Sequence, residues 1–153
     1  MGTDRQPPGC GDAGFSLLEL LVVMAVVGIL AAIAIPVVTS QEGRARDTSA
    51  GADARRLGLE VASYYADHTT APVVTASGGR WLVSGSDAGA LSAGVTLGTV
   101  ASPPVPTSSA DTTGWTSSAW CLNVLHPGGR TKYYRYSAQN GLESGSCTTA
   151  SHP

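Results

Sequence analysis

Charge is scarce in this chain: Asp, Glu, Lys and Arg together make up 13% of 153 residues, nine basic against eleven acidic. No excess of either sign points to a nucleic-acid partner. Only three histidines are present, His68, His126 and His152, and none has ligand-like spacing to the three cysteines, which removes the usual zinc patterns. No Ser, Cys or Lys nucleophile stands out beside a base, so no catalytic residue and no enzyme activity is expected. An internal repeat is also lacking. Nineteen glycines, with abundant Ala, Ser and Thr, favour extended loops and a small surface-displayed domain over a compact enzyme.

What the chain does have is one long apolar run. From Leu20 to Ile35, sixteen consecutive residues are apolar or Gly, and Phe15, Leu17, Leu18, Val37 and Val38 extend the run. Only Ser16, Glu19 and Pro36 interrupt it. At ~1.5 Å per residue a helix from Phe15 to Val38 reaches ~36 Å, enough to cross a hydrocarbon core of ~30 Å. A helix apolar on every side suits a bilayer, because a surface helix of a soluble domain would keep one polar face. Glu19 is the informative exception. A carboxylate in such a segment costs roughly 2.5–3.5 kcal/mol on insertion scales and is kept for a partner or a pathway, or else snorkels to the headgroups.

Residues 1–14, M-G-T-D-R-Q-P-P-G-C-G-D-A-G, are polar, rich in Pro and Gly and without periodicity, which marks a targeting segment. Gly9, Gly11 and Gly14 match G-x-G-x-x-G, but Pro7 and Pro8 leave no room for the strand that a dinucleotide site needs before it. Cys10 is no lipoprotein cleavage site either, since the apolar segment follows it.

Gly14, Phe15 and Glu19, then the apolar run and Pro36, closely resemble the class III signal sequence of the type IV pilin and pseudopilin family. That resemblance implies cleavage between Gly14 and Phe15 by a membrane-embedded prepilin peptidase, which also N-methylates Phe15. It implies that Glu19 governs assembly, and Gly28 and Pro36 fall where family members carry helix-weakening residues. The match is strong over about residues 14–40, extends to about 66, and is architectural beyond. The leader departs from the family in carrying Arg5 as its only basic residue against Asp4 and Asp12. Arg44, Arg46, Arg55 and Arg56 follow the span, so Lys and Arg counted alone would leave the C-terminal part in the cytoplasm. Processing at the cytoplasmic face and a C-terminal cysteine pair imply the opposite orientation.

The implied fold is α+β: a long N-terminal helix, membrane-spanning in its first half and amphipathic in its second, packed on a small antiparallel sheet. The expected divisions are a leader at 1–14, a transmembrane and assembly helix at 15–38, its amphipathic continuation at 39–68, and a β domain with variable loops at 69–153. In the continuation, Ala50, Ala54, Leu57, Val61 and Tyr64 share a face. Glu42, Arg44, Arg46, Asp47, Asp53, Arg55 and Arg56 fall mostly on the remainder. Gly43, Gly51 and Gly58 each weaken the helix by roughly 1 kcal/mol, and a bend is expected at Pro36.

Downstream, Thr69 to Gly79 reads as a polar connection, Arg80 to Val83 and Val95 to Val100 as short strands, and Ala101 to Ser118 as a long exposed loop. Trp120 to Leu125 and Lys132 to Tyr136 flank H-P-G-G-R as an antiparallel hairpin, with a last short strand from Leu142 to Thr148. Alternation in the hairpin buries about half of its aromatic residues.

With Cys10 removed by cleavage, Cys121 and Cys147 are an even pair in an exported domain, where pairing is favoured. The resemblance implies a disulfide bounding a variable region. Asp111 and Glu143 could serve a calcium site like that of major pseudopilins, but a dense run of oxygen ligands is lacking, and no cofactor is expected. The resemblance implies self-assembly and association with other pilins, the prepilin peptidase and methyltransferase, the assembly platform and its ATPase. It implies residence in the cytoplasmic membrane, then at the cell surface. Alternatives are a pseudopilin of a secretion or DNA-uptake system, and a membrane-anchored extracytoplasmic binding domain with an uncleaved signal anchor.

Overall fold

The computed structural model describes residues 14–147; the rest of the leader, with Cys10, and the end of the chain from Thr148, with His152, lie outside the described residues. One helix, α1 (Leu17–Asp67), is followed by eight strands: β1 (Val74–Ser77), β2 (Arg80–Val83), β3 (Ser86–Ala90), β4 (Thr96–Gly98), β5 (Pro106–Thr107), β6 (Cys121–Leu125), β7 (Tyr133–Ser137) and β8 (Gly141–Ser144). The architecture is α+β, a long N-terminal helix with antiparallel sheets. The chain divides after Val38 into two compact units.

In the second unit the strands form two sheets, β1-β2-β3 and β5-β4-β6-β7-β8, with every pair antiparallel. The segment after β5 ties them together. Ala76 donates its N–H to the Ser108 carbonyl at 2.8 Å and Ala110 donates to Val74 at 2.9 Å, so Ser108 to Ala110 closes the open edge of β1. The expected exposed loop from Ala101 to Ser118 therefore contains ordered pairing, and Trp115 inside it is only 4% exposed, packed 5.8 Å from Trp120. The strands β1 and β3 were not legible in the sequence. The expected β6–β7 hairpin is present, pairing Cys121 with Ser137 through to Leu125 with Tyr133.

The helix joins this core through the spaced apolar stripe. Ala50, Ala54, Leu57 and Val61 are fully buried with Trp81, Trp120, Leu97 and Leu122. Burying a side chain such as Leu57 or Val61 contributes roughly 1.5–3 kcal/mol. Two carboxylates depart from the expected pattern and lie on the buried side. Asp47 accepts the backbone N–H groups of Arg130 and Thr131 at 3.1 Å and of Lys132 at 3.4 Å. Asp53 accepts the Ser92 N–H at 2.9 Å and its hydroxyl at 3.0 Å. Buried carboxylates are tolerated when hydrogen bonds replace their water, and here each fixes a loop from far along the chain to the helix.

The helical glycines are approach points. A Cβ at Gly43 would meet the Arg130 side chain at 2.8 Å, one at Gly51 would touch the Tyr134 ring at 3.6 Å, and one at Gly58 would overlap the Tyr136 ring. Tyr136 cannot easily retreat, because its ring stacks on Trp120 at 5.8 Å.

Cys121 and Cys147 are joined by a disulfide with Cα atoms 5.9 Å apart and a sequence separation of 26. The closing segment is also held by Asn123, buried within β6, whose Oδ1 accepts the Cys147 N–H at 2.6 Å while its Nδ2 donates to the Thr99 carbonyl at 3.0 Å. A loop of this length is worth on the order of 3 kcal/mol in the chain-entropy account. Cys121→Ser/Cys147→Ser is expected to lower stability by about that amount in chemical denaturation. An unchanged midpoint would show that Asn123 and the strands hold the closure alone.

Outside the core, Arg80 pairs with Asp87 at 2.5 Å across β2 and β3, and Arg135 with Glu143 at 2.8 Å across β7 and β8. The Arg80 guanidinium, followed by the Gly89 N–H, holds the Asp87 carboxyl below the usual carboxylate range.

Candidate functional site

The first unit begins with a helix start that the sequence encodes locally. Ser16 immediately precedes α1, and its hydroxyl accepts the Leu18 N–H at 3.3 Å, as an N-cap does. Glu19, three residues on, stands in the first turn of the helix. S-x-x-E is the capping-box spacing, and an acidic side chain is favoured where the helix dipole is positive. The role of Ser16 was not read from the sequence, although that spacing signals it. Glu19 thus has a local reason to sit at a helix start, which alone does not explain a carboxylate beside an apolar run.

From Leu20 to Ile35 the helix carries only apolar side chains and one glycine. Phe15 is 82% exposed and Ile35 63% exposed, with the leucines, valines and isoleucines between them exposed as well. Among the described residues this is the one helix long and apolar enough to cross a membrane, and none of its most apolar stretch is buried within the chain. A contiguous apolar surface of that extent marks a membrane or protein contact. Gly28 lies mid-stretch, where an added Cβ would meet nothing within 4 Å, so any cost of a side chain there arises between chains. Pro36 lies inside α1, which continues through it to Asp67.

The remaining candidates serve the domain itself. Glu143 is engaged by Arg135, and Asp111 accepts the Thr113 N–H at 3.0 Å. His126 Nδ1 accepts the Gly128 N–H at 3.1 Å within the β6–β7 turn. His68 stacks on Tyr64 at 4.1 Å. Among the described residues no group of three or more His, Cys, Asp or Glu side chains converges.

A family signature described as the prokaryotic N-terminal methylation motif matches residues 10–35, spanning Gly14, Phe15, Glu19 and Gly28. The chain resembles type IV pilins. A type IV major pilin protein PilE1 of Neisseria gonorrhoeae is 35% identical over 91 residues, which cover 60% of this chain and 43% of that protein. A fimbrial protein of Neisseria meningitidis serogroup B is 39% identical over 71 residues, 42% of this chain and 42% of that protein. The pilin-like chain therefore spans less than half the length of these curated relatives. In this chain the motif falls on the start of the exposed apolar helix.

Proposed function

We propose that this chain is a structural, non-catalytic subunit of a type IV pilus or related filament. Residues 1–14 are the leader, a prepilin peptidase cuts between Gly14 and Phe15 and methylates Phe15, and residues 15–38 hold the precursor in the cytoplasmic membrane. Assembly then transfers that helix from lipid to other subunits at the cell surface, through an assembly platform and its ATPase. The observation that carries this reading is a helix that exposes every large apolar side chain up to Val38 and holds one carboxylate in its first turn, on a chain whose other unit buries its own core. The printed descriptions of the relatives, a major pilin and a fimbrial protein, favour a surface filament over a secretion pseudopilus.

The chemistry follows from Glu19. Once the leader is cut, the Phe15 amine is a positive charge one helical turn from the Glu19 carboxylate. Both are costly in hydrocarbon, and a carboxylate brought to the amine of a neighbouring subunit offsets part of both costs. Packing of Leu20 to Ile35 between neighbours keeps these side chains from water in the filament as lipid does before assembly, while the ion pair fixes the axial position.

Intact-mass and N-terminal analysis of the assembled fraction is expected to show loss of residues 1–14 and one added methyl group on Phe15. Peptides containing Met1 or Arg5 in that fraction would overturn the reading in favour of an uncleaved anchor.

A further inference from the structure

Resting on the filament reading, we propose that the exposed face of α1 within the second unit is a contact with a second copy of this chain, in which an acidic cup at Glu60 and Asp67 receives the basic end of the neighbour around Arg44 and Arg130.

Beyond Val38 nearly every described carboxylate is spent inside its own chain: Glu42 on Arg46, Asp47 and Asp53 on backbone N–H groups, Asp87 on Arg80, Asp111 on the Thr113 N–H and Glu143 on Arg135. Glu60 and Asp67 are the exceptions. Both are exposed, and neither forms an ion pair with another described residue. They line a concavity with Ser63, Tyr64, His68 and Ser86, whose wall is the stacked Tyr64–His68 pair, inclined by only 6°. Carboxylates beside a flat aromatic surface suit a guanidinium, which takes planar hydrogen bonds and stacks on rings.

The complementary charge stands at the other end of the same helix segment. The β6–β7 turn packs on α1 at Gly43, against the Arg130 side chain, and at Asp47. This brings Arg130 and Lys132 beside Arg44 and Arg46. Arg44, Arg130 and Lys132 are exposed and make no ion pair with another described residue. Between the two ends Ala45, Thr48, Ala52, Arg55, Leu59, Ala62 and Ala66 are exposed at alternating three- and four-residue spacing, the spacing at which one helix lies along another. Leu59, 56% exposed at its middle, is the large apolar side chain of this face.

Parallel copies displaced along the helix by roughly 24–35 Å, the rise from Arg44 to Glu60 or to Asp67, bring the basic end of one to the cup of the next. Such a head-to-tail contact, between copies related by displacement along the helix, repeats along an open polymer. Anionic headgroups could also meet the basic end, but would leave the cup and its two unspent carboxylates without a partner.

The test is reciprocal charge reversal in the full-length chain as the only subunit, at equal membrane levels, with Cys121–Cys147 oxidation as the check on folding. Arg44→Glu/Arg130→Glu and Glu60→Arg/Asp67→Arg are each expected to lower sheared filament yield at least tenfold. The quadruple variant, with both ends reversed, is expected to recover to within about twofold of wild type. Wild-type yield from both double variants would overturn the contact. So would loss without recovery in the quadruple variant, and a loss confined to the Arg44/Arg130 double would assign the basic end to lipid. Absence of filaments from wild type itself would instead refute the filament reading, a distinct result.

Discussion

Glu19→Ala is expected to enter the membrane at least as well as wild type and to be cut after Gly14, yet to yield no filament as the only subunit present. Removing the carboxylate relieves an insertion cost of at most roughly 2.5–3.5 kcal/mol, the value at a helix centre, so a defect in membrane level is not anticipated. In the proposed filament what is lost is the attraction to a neighbour's Phe15 amine, which strengthens as water is excluded. Glu19→Gln keeps the size and polarity and discards the charge, and it too is expected to assemble poorly. The Ser16 cap remains in both variants, so helix initiation is preserved. Filament yield after shearing, normalised to membrane-resident subunit, is the measurement. Wild-type yield from both variants would reduce Glu19 to a first-turn acid that helps start the helix and nothing more.

The second large effect concerns two glycines about two turns apart on one face of α1. At Gly51 an added Cβ makes ordinary contact with Tyr134, at 3.6 Å, and Ala is the better helix former by roughly 0.8–1 kcal/mol. Gly51→Ala is therefore expected to be neutral or to stabilise by up to about 1 kcal/mol. At Gly58 the Cβ would overlap the Tyr136 ring, which Trp120 backs from the other side. Gly58→Leu drives a whole side chain into that space and should exceed the roughly 1–3 kcal/mol usual for overpacking. That is a large share of the 5–15 kcal/mol typical of a domain. Denaturation midpoints of the two variants decide the matter. A Gly58→Leu protein as stable as wild type would mean that the helix and β7 do not meet this closely.

These glycines show what the sequence conceals. In the chain alone Gly43, Gly51 and Gly58 read as weak points of a helix, because intrinsic propensity is all that is visible there. The ring or arginine stem each one admits lies on a strand or turn roughly 80 residues away. Asp47, Asp53 and Asn123 were hidden for the same reason: a buried polar side chain is explained by the backbone groups it satisfies, and those belong to distant loops. Strand β3, S-D-A-G-A, carries no β-branched or aromatic residue, and β1 was masked by its polar surroundings. Trp115 sits among Thr, Ser and Gly, so nothing local marked it as core. By contrast, the stripe Ala50, Ala54, Leu57 and Val61, the β6–β7 hairpin and the apolar run with Glu19 were legible. Each is written in short-range periodicity or in one uninterrupted stretch.

The division after Val38 bears on reuse of the subunit. No residue of the apolar stretch up to that point is buried within its own chain, and the disulfide, the Asp47 clamp and the tryptophan core all lie in the other unit. Moving the stretch between lipid and a filament exchanges one apolar surrounding for another and breaks no hydrogen bond of the sheets. In the proposed filament a subunit could then be withdrawn into the membrane with its oxidised, folded domain intact and enter a new polymer without resynthesis, its cycle limited by transfer between surroundings instead of by folding.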